Sequence, residues 1–234
     1  MPSVSFVIPA YNEEQALPAI ALRSLAALRE NCEDYELLIL NDGSSDQTAA
    51  VMHQIYDTDP AHVRLLTHEV NQGIARTLED LYAAASKEYV FDIAGDGQYP
   101  PEVLKQIIPL LSQYDIVVCN RVFKHYTPYR KLISFCYRWM PRILFGVDLY
   151  DSGSTKCRKK SIITDIHVTS KGVFVEAERL IRAVKRGYSI TKIDMVQEAR
   201  QGGKARGARL PMVLQAIADL ASVWFRLQIL RQKP

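Results

Sequence analysis

The sequence predicts an α/β fold, a single domain with a mostly parallel central sheet and helices on both of its faces. Three observations predict it. Short, almost wholly apolar runs recur through the first 120 residues, stretches with apolar residues at helical spacing separate them, and polar, glycine-bearing turns follow several of the runs. Strands alternating with helices make parallel sheets covered on both sides, and ligands of such sheets sit beyond the carboxyl ends of the strands.

The elements follow in order. Ser3 to Ala10 reads as a strand, and Glu13 to Leu28 as a helix. The strand Tyr35 to Leu40 runs into Asn41-Asp42-Gly43-Ser44, where Ser44 and Gln47 have the spacing of a capping box that would start a helix reaching Tyr56. Val63 to Thr67 is a third strand, Asn71-Gln72-Gly73 a turn, and Ile74 to Ala85 a helix. Tyr89 to Ile93 is a fourth strand, Pro100-Pro101 opens a helix to Leu111, and Asp115 to Cys119 is a fifth strand.

Past residue 121 the pattern changes. Arg130 to Leu144 mixes bulky apolar and basic residues, with Pro141 expected to kink or break the helix. Asp151 to Thr155 reads as a polar loop, Val173 to Arg186 as a helix, Ile190 to Val196 as a strand, and Gly202-Gly203 as part of a basic loop. Leu210 to Leu230 is a final helix with a polar stripe of Gln215, Asp219, Ser222 and Arg226 amid apolar residues. Three placements stay open for it: an interfacial or oligomer-forming helix, a helix packed on the protein's own core, and a membrane span, which Asp219 and Arg226 oppose. The aromatic and basic stretch before it favours a membrane surface.

Charge divides the chain. Residues 1–120 carry 6 Lys/Arg against 18 Asp/Glu, and residues 121–234 carry 23 against 8, although the whole sums to only +3. An acidic first half suits a metal or the hydroxyls of a nucleotide. A basic second half suits phosphate groups of a donor, an anionic acceptor or a membrane leaflet. The glycine turns pair with acidic residues rather than with aromatic and basic platforms, which argues against a nucleic-acid partner. Cys32, Cys119, Cys136 and Cys157 form no metal-ligand spacing and read as reduced thiols. With no basic and apolar leader ahead of the first strand, the expected placement is cytoplasmic, peripheral on the cytoplasmic membrane face if the last helix is interfacial.

The polar clusters supply the candidate chemistry. Asp96, in the turn Gly95-Asp96-Gly97-Gln98 after the fourth strand, is the metal candidate, since a divalent ion there would bridge diphosphate oxygens. Asp42 occupies the matching turn after the second strand and suits a base or ribose, or simply an Asx turn. Asn12 and Glu13 lie at the end of the first strand and could close the same pocket. Arg76, an isolated base in the acidic half, meets phosphate or base, or else pairs with Glu79 or Asp80. On the acceptor side stand Asp151, Glu178, Arg200, Lys204 and Arg206. An alcohol acceptor needs a carboxylate as general base. A phosphate acceptor is already nucleophilic and needs orientation and charge compensation, which Arg200 and Arg206 suit.

Val7 to Glu13, Leu40 to Asp46, Asn71-Gln72-Gly73 and Gly95 to Glu102, followed by the weaker Phe174 to Glu178 and Arg200 to Arg206, together resemble the inverting glycosyltransferases of family 2, among them dolichyl-phosphate mannose synthase and related polyprenyl-phosphate enzymes. The resemblance implies a GT-A fold, that is, a single Rossmann-like domain, and a nucleoside-diphosphate sugar donor with inversion at the anomeric carbon. It implies magnesium or manganese on Asp96, and a polyprenyl-phosphate or similar phosphate-bearing acceptor. A hydroxyl acceptor on a soluble metabolite or glycan, and an inactive nucleotide-sugar-binding partner, are its rivals. Residues 1–120 become the donor half, 121–209 the acceptor-facing half, and 210–234 an amphipathic helix and tail that could dock on a membrane or a second copy. Pro9, Ala10, Tyr11, Glu13, Asp42, Arg76, Asp92, Ala94, Gly95, Asp96 and Gln98 are the implied donor and cofactor contacts, with Asp96, Asp151, Glu178, Arg200 and Arg206 the catalytic set. Four positions depart from the pattern: Asn41, Ile74 with Arg76, Ala205-Arg206, and above all Ala94, which replaces the first aspartate of the DxD motif. Asp92, two strand residues earlier and on the same side, is the local candidate to replace it, at about 6–7 Å.

Overall fold

The computed structural model describes residues 2–122, 128–200 and 210–233. Seven strands form one sheet in the order β3-β2-β1-β4-β6-β5-β7. They are β1 (Val4–Ala10), β2 (Tyr35–Asp42), β3 (Val63–His68), β4 (Tyr89–Asp92), β5 (Ile116–Arg121), β6 (Lys156–Lys159) and β7 (Ile190–Met195). All pairings are parallel except those of β6, which runs antiparallel to β4 on one side and to β5 on the other. The mixed sheet with helices on both faces is a GT-A fold.

The helices are α1 (Leu17–Asn31), α2 (Thr48–Thr58), α3 (Ile74–Ala84), α4 (Leu104–Ile107), α5 (Pro128–Phe145), α6 (Lys160–Asp165), α7 (Val175–Lys185) and α8 (Leu210–Trp224). The main core packs α1, α2 and α4 on one sheet face through Phe6, Ile8, Leu17, Leu28, Ile39 and Phe91. A small cluster holds α3 on the opposite face through Val7, Leu38, Leu81 and Tyr82. A third, under α5, α7 and α8, joins Val118, Leu149, Phe174, Leu180 and Val223.

Several expectations change. The capping box at Ser44 does not form: α2 begins at Thr48, whose N–H and hydroxyl both donate to Asp46 Oδ1 at 3.0 and 2.5 Å, while Ser44 Oγ accepts the Asn12 N–H at 3.0 Å. The helix after Pro101 is one α turn between two 3-10 segments. Pro141 does not end α5, which continues to Phe145. β6 and α6 had no apolar signature, because Lys-Cys-Arg-Lys fills its buried positions with charges that find partners inside the protein.

α8 is turned the other way from a soluble amphipathic helix. Asp219, in its polar stripe, faces the protein, accepting the Gly172 N–H at 3.2 Å and a Gln215 side-chain N–H at 2.9 Å, with Leu220 and Val223 buried beside it. Leu210, Leu214 and Ile217 are each at least half exposed, as are Phe225 and Ile229 in the π-helical turn that follows. Residues Leu210–Ile229 have a mean hydropathy of 1.3 and sufficient length to cross a membrane. Phe135 and Ile143 on neighbouring α5 are also exposed, at 60% and 75%.

The turn after β2 fixes the loops over the sheet. Gly43 has φ +66°, and a Cβ there would lie 2.6 Å from the Val70 carbonyl carbon and the Asn71 amide nitrogen. Asp42 accepts the Gln72 and Gly73 N–H groups at 2.8 and 3.0 Å and pairs with the His68 ring at 2.7 Å. Burial alone would raise the Asp42 carboxyl, but His68 and the two amides outweigh it and hold it below the ordinary aspartate value. Gly43→Ala is therefore expected to cost at least about 1–3 kcal/mol, seen as a lower urea midpoint. Because the folded-state value is depressed, the Asp42 contribution is complete above the unfolded pKa of about 3.9 and is lost as pH falls below it. Asp42→Asn should flatten that acid limb of a stability-versus-pH curve.

Candidate active site

The carboxyl ends of β1, β4 and β5 and the start of antiparallel β6 open onto one cavity of about 690 Å³, roofed by α3, α5 and α8. Its floor is polar, with Asp92, Asn120, Arg121, Asp151, Lys156 and Glu176, and its upper walls are apolar, with Ile133, Tyr137, Met140, Val213, Ala216 and Ile217. The first half of the chain contributes Asp92 and Asn120 to the polar ground, and the second half contributes the rest of it and the apolar vault.

Asp96 sits in the turn beyond β4, between the cavity-lining residues Ala94 and Tyr99. Gly95 lets the turn close on β1: a Cβ there would stand 3.1 Å from the Pro9 carbonyl oxygen. Asp96 Oδ1 accepts the Gln98 N–H at 3.0 Å, and Oδ2 pairs with Arg200 Nη2 at 2.6 Å. Arg200 Nη1 lies 4.0 Å from Glu13 Oε1, so one guanidinium stands between the two carboxylates. The strap carrying Arg200 is tied down upstream, where the Glu198 N–H donates to the Gln98 carbonyl at 3.0 Å and Arg23 bridges Glu198 and Glu102. Ala10 ends β1 in the core, and the loop through Tyr11, Asn12 and Glu13 is laced to the β2–α2 turn, with the Glu13 N–H donating to Thr48 Oγ1 at 2.9 Å.

The remaining candidates separate. Asp42 is 3% exposed and committed to the Gln72-Gly73 turn and His68, outside the cavity wall. Arg76 donates to Asp80 at 2.7 Å on the outer face of α3. Asp92 does not take over the missing DxD contact: Arg158 Nη2 holds its Oδ1 at 2.6 Å and Lys156 Nζ lies 3.7 Å from its Oδ2, which draws the carboxylate toward β6. Ala94 lines the cavity instead, in an apolar wall with Pro9, Ile74, Ala75 and Leu78. Asp151 is in the cavity but forks onto Arg121 through two 2.7 Å bonds. Arg121 also donates to the Tyr99 hydroxyl at 3.2 Å, and burial pushes that phenol up to about 12. Glu178 is away from the cavity and fully buried, where it accepts the Thr169 and Ser170 N–H groups and pairs with Arg182 at 2.8 Å. Burial would raise its carboxyl, yet these donors hold it below the usual range. It anchors a loop, and Glu178, one of the catalytic set expected from sequence, does not line the cavity. Arg206 and Lys204 lie outside the described residues.

Sequence reasoning missed Asn120, Arg121, Lys156 and Glu176. Lys156 and Arg158 drew no reading from the sequence, and the pairing of β6 between β4 and β5 brings them inside. Among the described residues no three acidic, histidine or cysteine side chains stand together as a ready metal site. Asp96 with Glu13 across from it fits a hard divalent ion only in the manner of magnesium sites, where one or two carboxylates are completed by substrate phosphates.

Residues 5–164 match the model of the family described as Glycosyl transferase family 2. The undecaprenyl-phosphate 4-deoxy-4-formamido-L-arabinose transferase of Pectobacterium carotovorum is 27% identical over 214 residues, 90% of this chain and 64% of that protein. The enzyme of the same description from Pectobacterium atrosepticum is 31% identical over 152 residues, 64% of this chain and 46% of its own length. The chain thus spans less than two thirds of these relatives. Among solved structures, glucosyl-3-phosphoglycerate synthase from Mycobacterium tuberculosis, in complex with Mn2+, UDP-glucose and phosphoglyceric acid, superposes with a TM-score of 0.73 at 21% identity, covering 95% of this chain and 80% of that one. The same enzyme is also solved with Mg2+ and UDP, with a TM-score of 0.71. The likeness of fold and the match over most of the described sheet agree with the turn motifs that frame the cavity, and this chain belongs to glycosyl transferase family 2.

Proposed function

We propose that the protein transfers a sugar from a nucleoside-diphosphate donor to the phosphate of a lipid-linked acceptor, with inversion at the anomeric carbon. The observation that carries this reading is one cavity that runs from Ala94 and Tyr99, on either side of the Asp96 turn, to an apolar vault between α5 and α8, whose outer faces expose Phe135, Ile143, Leu214 and Phe225. A lipid tail suits that vault, and helices that turn apolar and aromatic side chains outward suit the surface of a bilayer. The arabinose transferases similar to this chain are named for undecaprenyl phosphate, and the M. tuberculosis synthase was solved with a small phosphate-bearing acid; both names carry an acceptor with a phosphate.

The polar floor supports phosphate as nucleophile over a hydroxyl. A hydroxyl acceptor needs a carboxylate poised to take its proton. Asp151 is instead forked onto Arg121, and Glu178 is sequestered in its loop. A phosphate oxygen is already anionic, so Arg121 and Asn120 need only hold and orient it. In the reaction the acceptor oxygen forms a bond to the anomeric carbon as the bond from that carbon to the diphosphate breaks on the opposite side. Arg200, already at the Asp96 turn, is positioned to offset charge on the departing diphosphate. Magnesium or manganese held by Asp96, with Glu13 nearby, would supply further charge neutralisation on that leaving group.

Incubating the protein and undecaprenyl-phosphate vesicles with labelled nucleoside-diphosphate sugars and Mg2+ or Mn2+ should give lipid-extractable label. Asp96→Ala should lower the rate on the order of 100-fold, the scale expected for loss of a charge-stabilising group. Transfer only to water-soluble phosphates would overturn the lipid acceptor. Donor binding without transfer to any acceptor would favour the reading that Ala94 motivates, a binding partner without turnover. A second measurement addresses the membrane surface: Leu214→Asp with Phe225→Asp should weaken sedimentation with anionic vesicles by at least about 30-fold, each exposed apolar side chain contributing roughly 1 kcal/mol or more on burial.

A further inference from the structure

Below Ala94 the cavity floor carries a group of charges that the transfer reaction, as described, does not use. Lys156 is 2% exposed and lines the cavity, with its Nζ 3.1 Å from Glu176 Oε2 and 3.7 Å from Asp92 Oδ2. From beneath, Arg158 Nη2 reaches Asp92 Oδ1 at 2.6 Å, Glu176 Oε2 at 2.7 Å and the Tyr82 hydroxyl at 2.6 Å. Asp92 and Glu176 both line the cavity from opposite sides of Lys156. Beside them Thr155 Oγ1, on a residue 4% exposed that also lines the cavity, has no hydrogen-bond partner, whereas Glu176 Oε1 lies 3.7 Å from Arg179 Nε. An orphaned buried hydroxyl is uncommon in folded proteins and calls for a partner from outside the chain, such as a water or a ligand.

Location gives this floor a ligand. Asp92 precedes Asp96 by four residues, a span of at most about 13 Å at strand rise. With the diphosphate at Asp96, the hexose or pentose attached to it reaches the wall below Ala94. An ionised carboxylate is acceptor-only, and an ammonium is donor-only. Burial alone would raise the Glu176 carboxyl, but Arg158, Lys156 and Arg179 outweigh it and keep it well below the usual range. A sugar hydroxyl can donate to a carboxylate and accept from the ammonium beside it, so alternating Asp92, Lys156 and Glu176 match neighbouring hydroxyls on one ring. A carboxylate on the sugar would face two fixed carboxylates, while the cations beside them, Lys156 and Arg158, are already engaged by both.

We propose that Asp92, Lys156 and Glu176 form the specificity-determining floor of the donor-sugar subsite, which accepts a neutral, hydroxyl-bearing sugar and rejects a uronate. This rests on the donor reading above and extends it to the class of sugar. The consequence of Ala94 is then a shift in polar recognition from the lip of the pocket to its floor.

Calorimetric titration of the protein with UDP and GDP, and with their neutral-hexose and hexuronate conjugates in the presence of Mn2+, separates the two levels. The expected result is that the best neutral conjugate binds at least 10-fold tighter than its parent nucleoside diphosphate, while the uronate conjugate binds no tighter than the parent. Glu176→Gln should bring the neutral-to-parent ratio below about 3, and Lys156→Met should do the same. Uronate binding as tight as neutral-sugar binding would overturn the inference with the wild-type protein alone, whatever the folding of the variants. So would an intact ratio in folded Glu176→Gln. Tight nucleoside-diphosphate binding with no sugar increment overturns the floor and leaves the donor reading standing; absence of any nucleotide binding overturns both.

Discussion

The structure depends on the burial of Arg158. Its side chain is fully enclosed between β4, α3 and α7, lies over the Tyr82 ring at 4.7 Å, and holds Asp92 and Glu176 together. A guanidinium in that position is tolerable only with carboxylates against it, and removing one partner of such a pair costs about 3–5 kcal/mol because a bare charge stays behind. β6 therefore has one acceptable register between β4 and β5, and the antiparallel insertion that joins the two halves of the sheet is set by charge rather than by apolar pattern. Nε and Nη1 of Arg158 find no partner, so the network is tight in position without being saturated.

That junction also accounts for the charge asymmetry of the chain. The acidic first half and basic second half invite a reading in which the basic residues await phosphate. Part of the basic half instead meets the acidic half internally: Arg158 with Asp92, Arg179 with Glu79, and Arg200 with Asp96. The reverse pairing also occurs, as Arg23 of the first half holds Glu198 of the second. These contacts align along the carboxyl end of the sheet and run from the buried floor to the Asp96 turn. Electrostatics thus closes the two halves over one cavity, and a phosphate-bearing ligand would enter a site already organised by opposite charges.

The first five strands were legible because their apolar runs and turn residues are local signals, and α3, α7 and α8 because helical spacing is local too. The Asp96 turn was legible for the same reason: glycines on either side of an aspartate after an apolar strand have few other uses. What the sequence could not convey was partnership across the sheet. Lys156 and Arg158 have the composition of a solvated loop until β4 and β5 flank them. Asp92 does share a strand with Ala94, but its carboxylate is turned to Lys156 and Arg158 on β6, a partnership that no local pattern shows. Glu178 resembled a base in a motif, and became a loop anchor once the Thr169 and Ser170 amides converged on it.

The exposed apolar face of α8 follows from the same economy of polar groups. Asp219 is buried because the Gly172 amide needs an acceptor where the loop before α7 approaches the helix, and Gln215 completes the arrangement. Turning that carboxylate inward rotates Leu214, Ile217 and Phe225 outward. Of the polar stripe only Asp219 is buried, while Gln215 and Ser222 stay exposed beside the outward apolar side chains. The apolar surface beside the vault is thus a geometric consequence of how the loop over the cavity is held, and it places an apolar exterior next to an apolar interior on the acceptor side of the site.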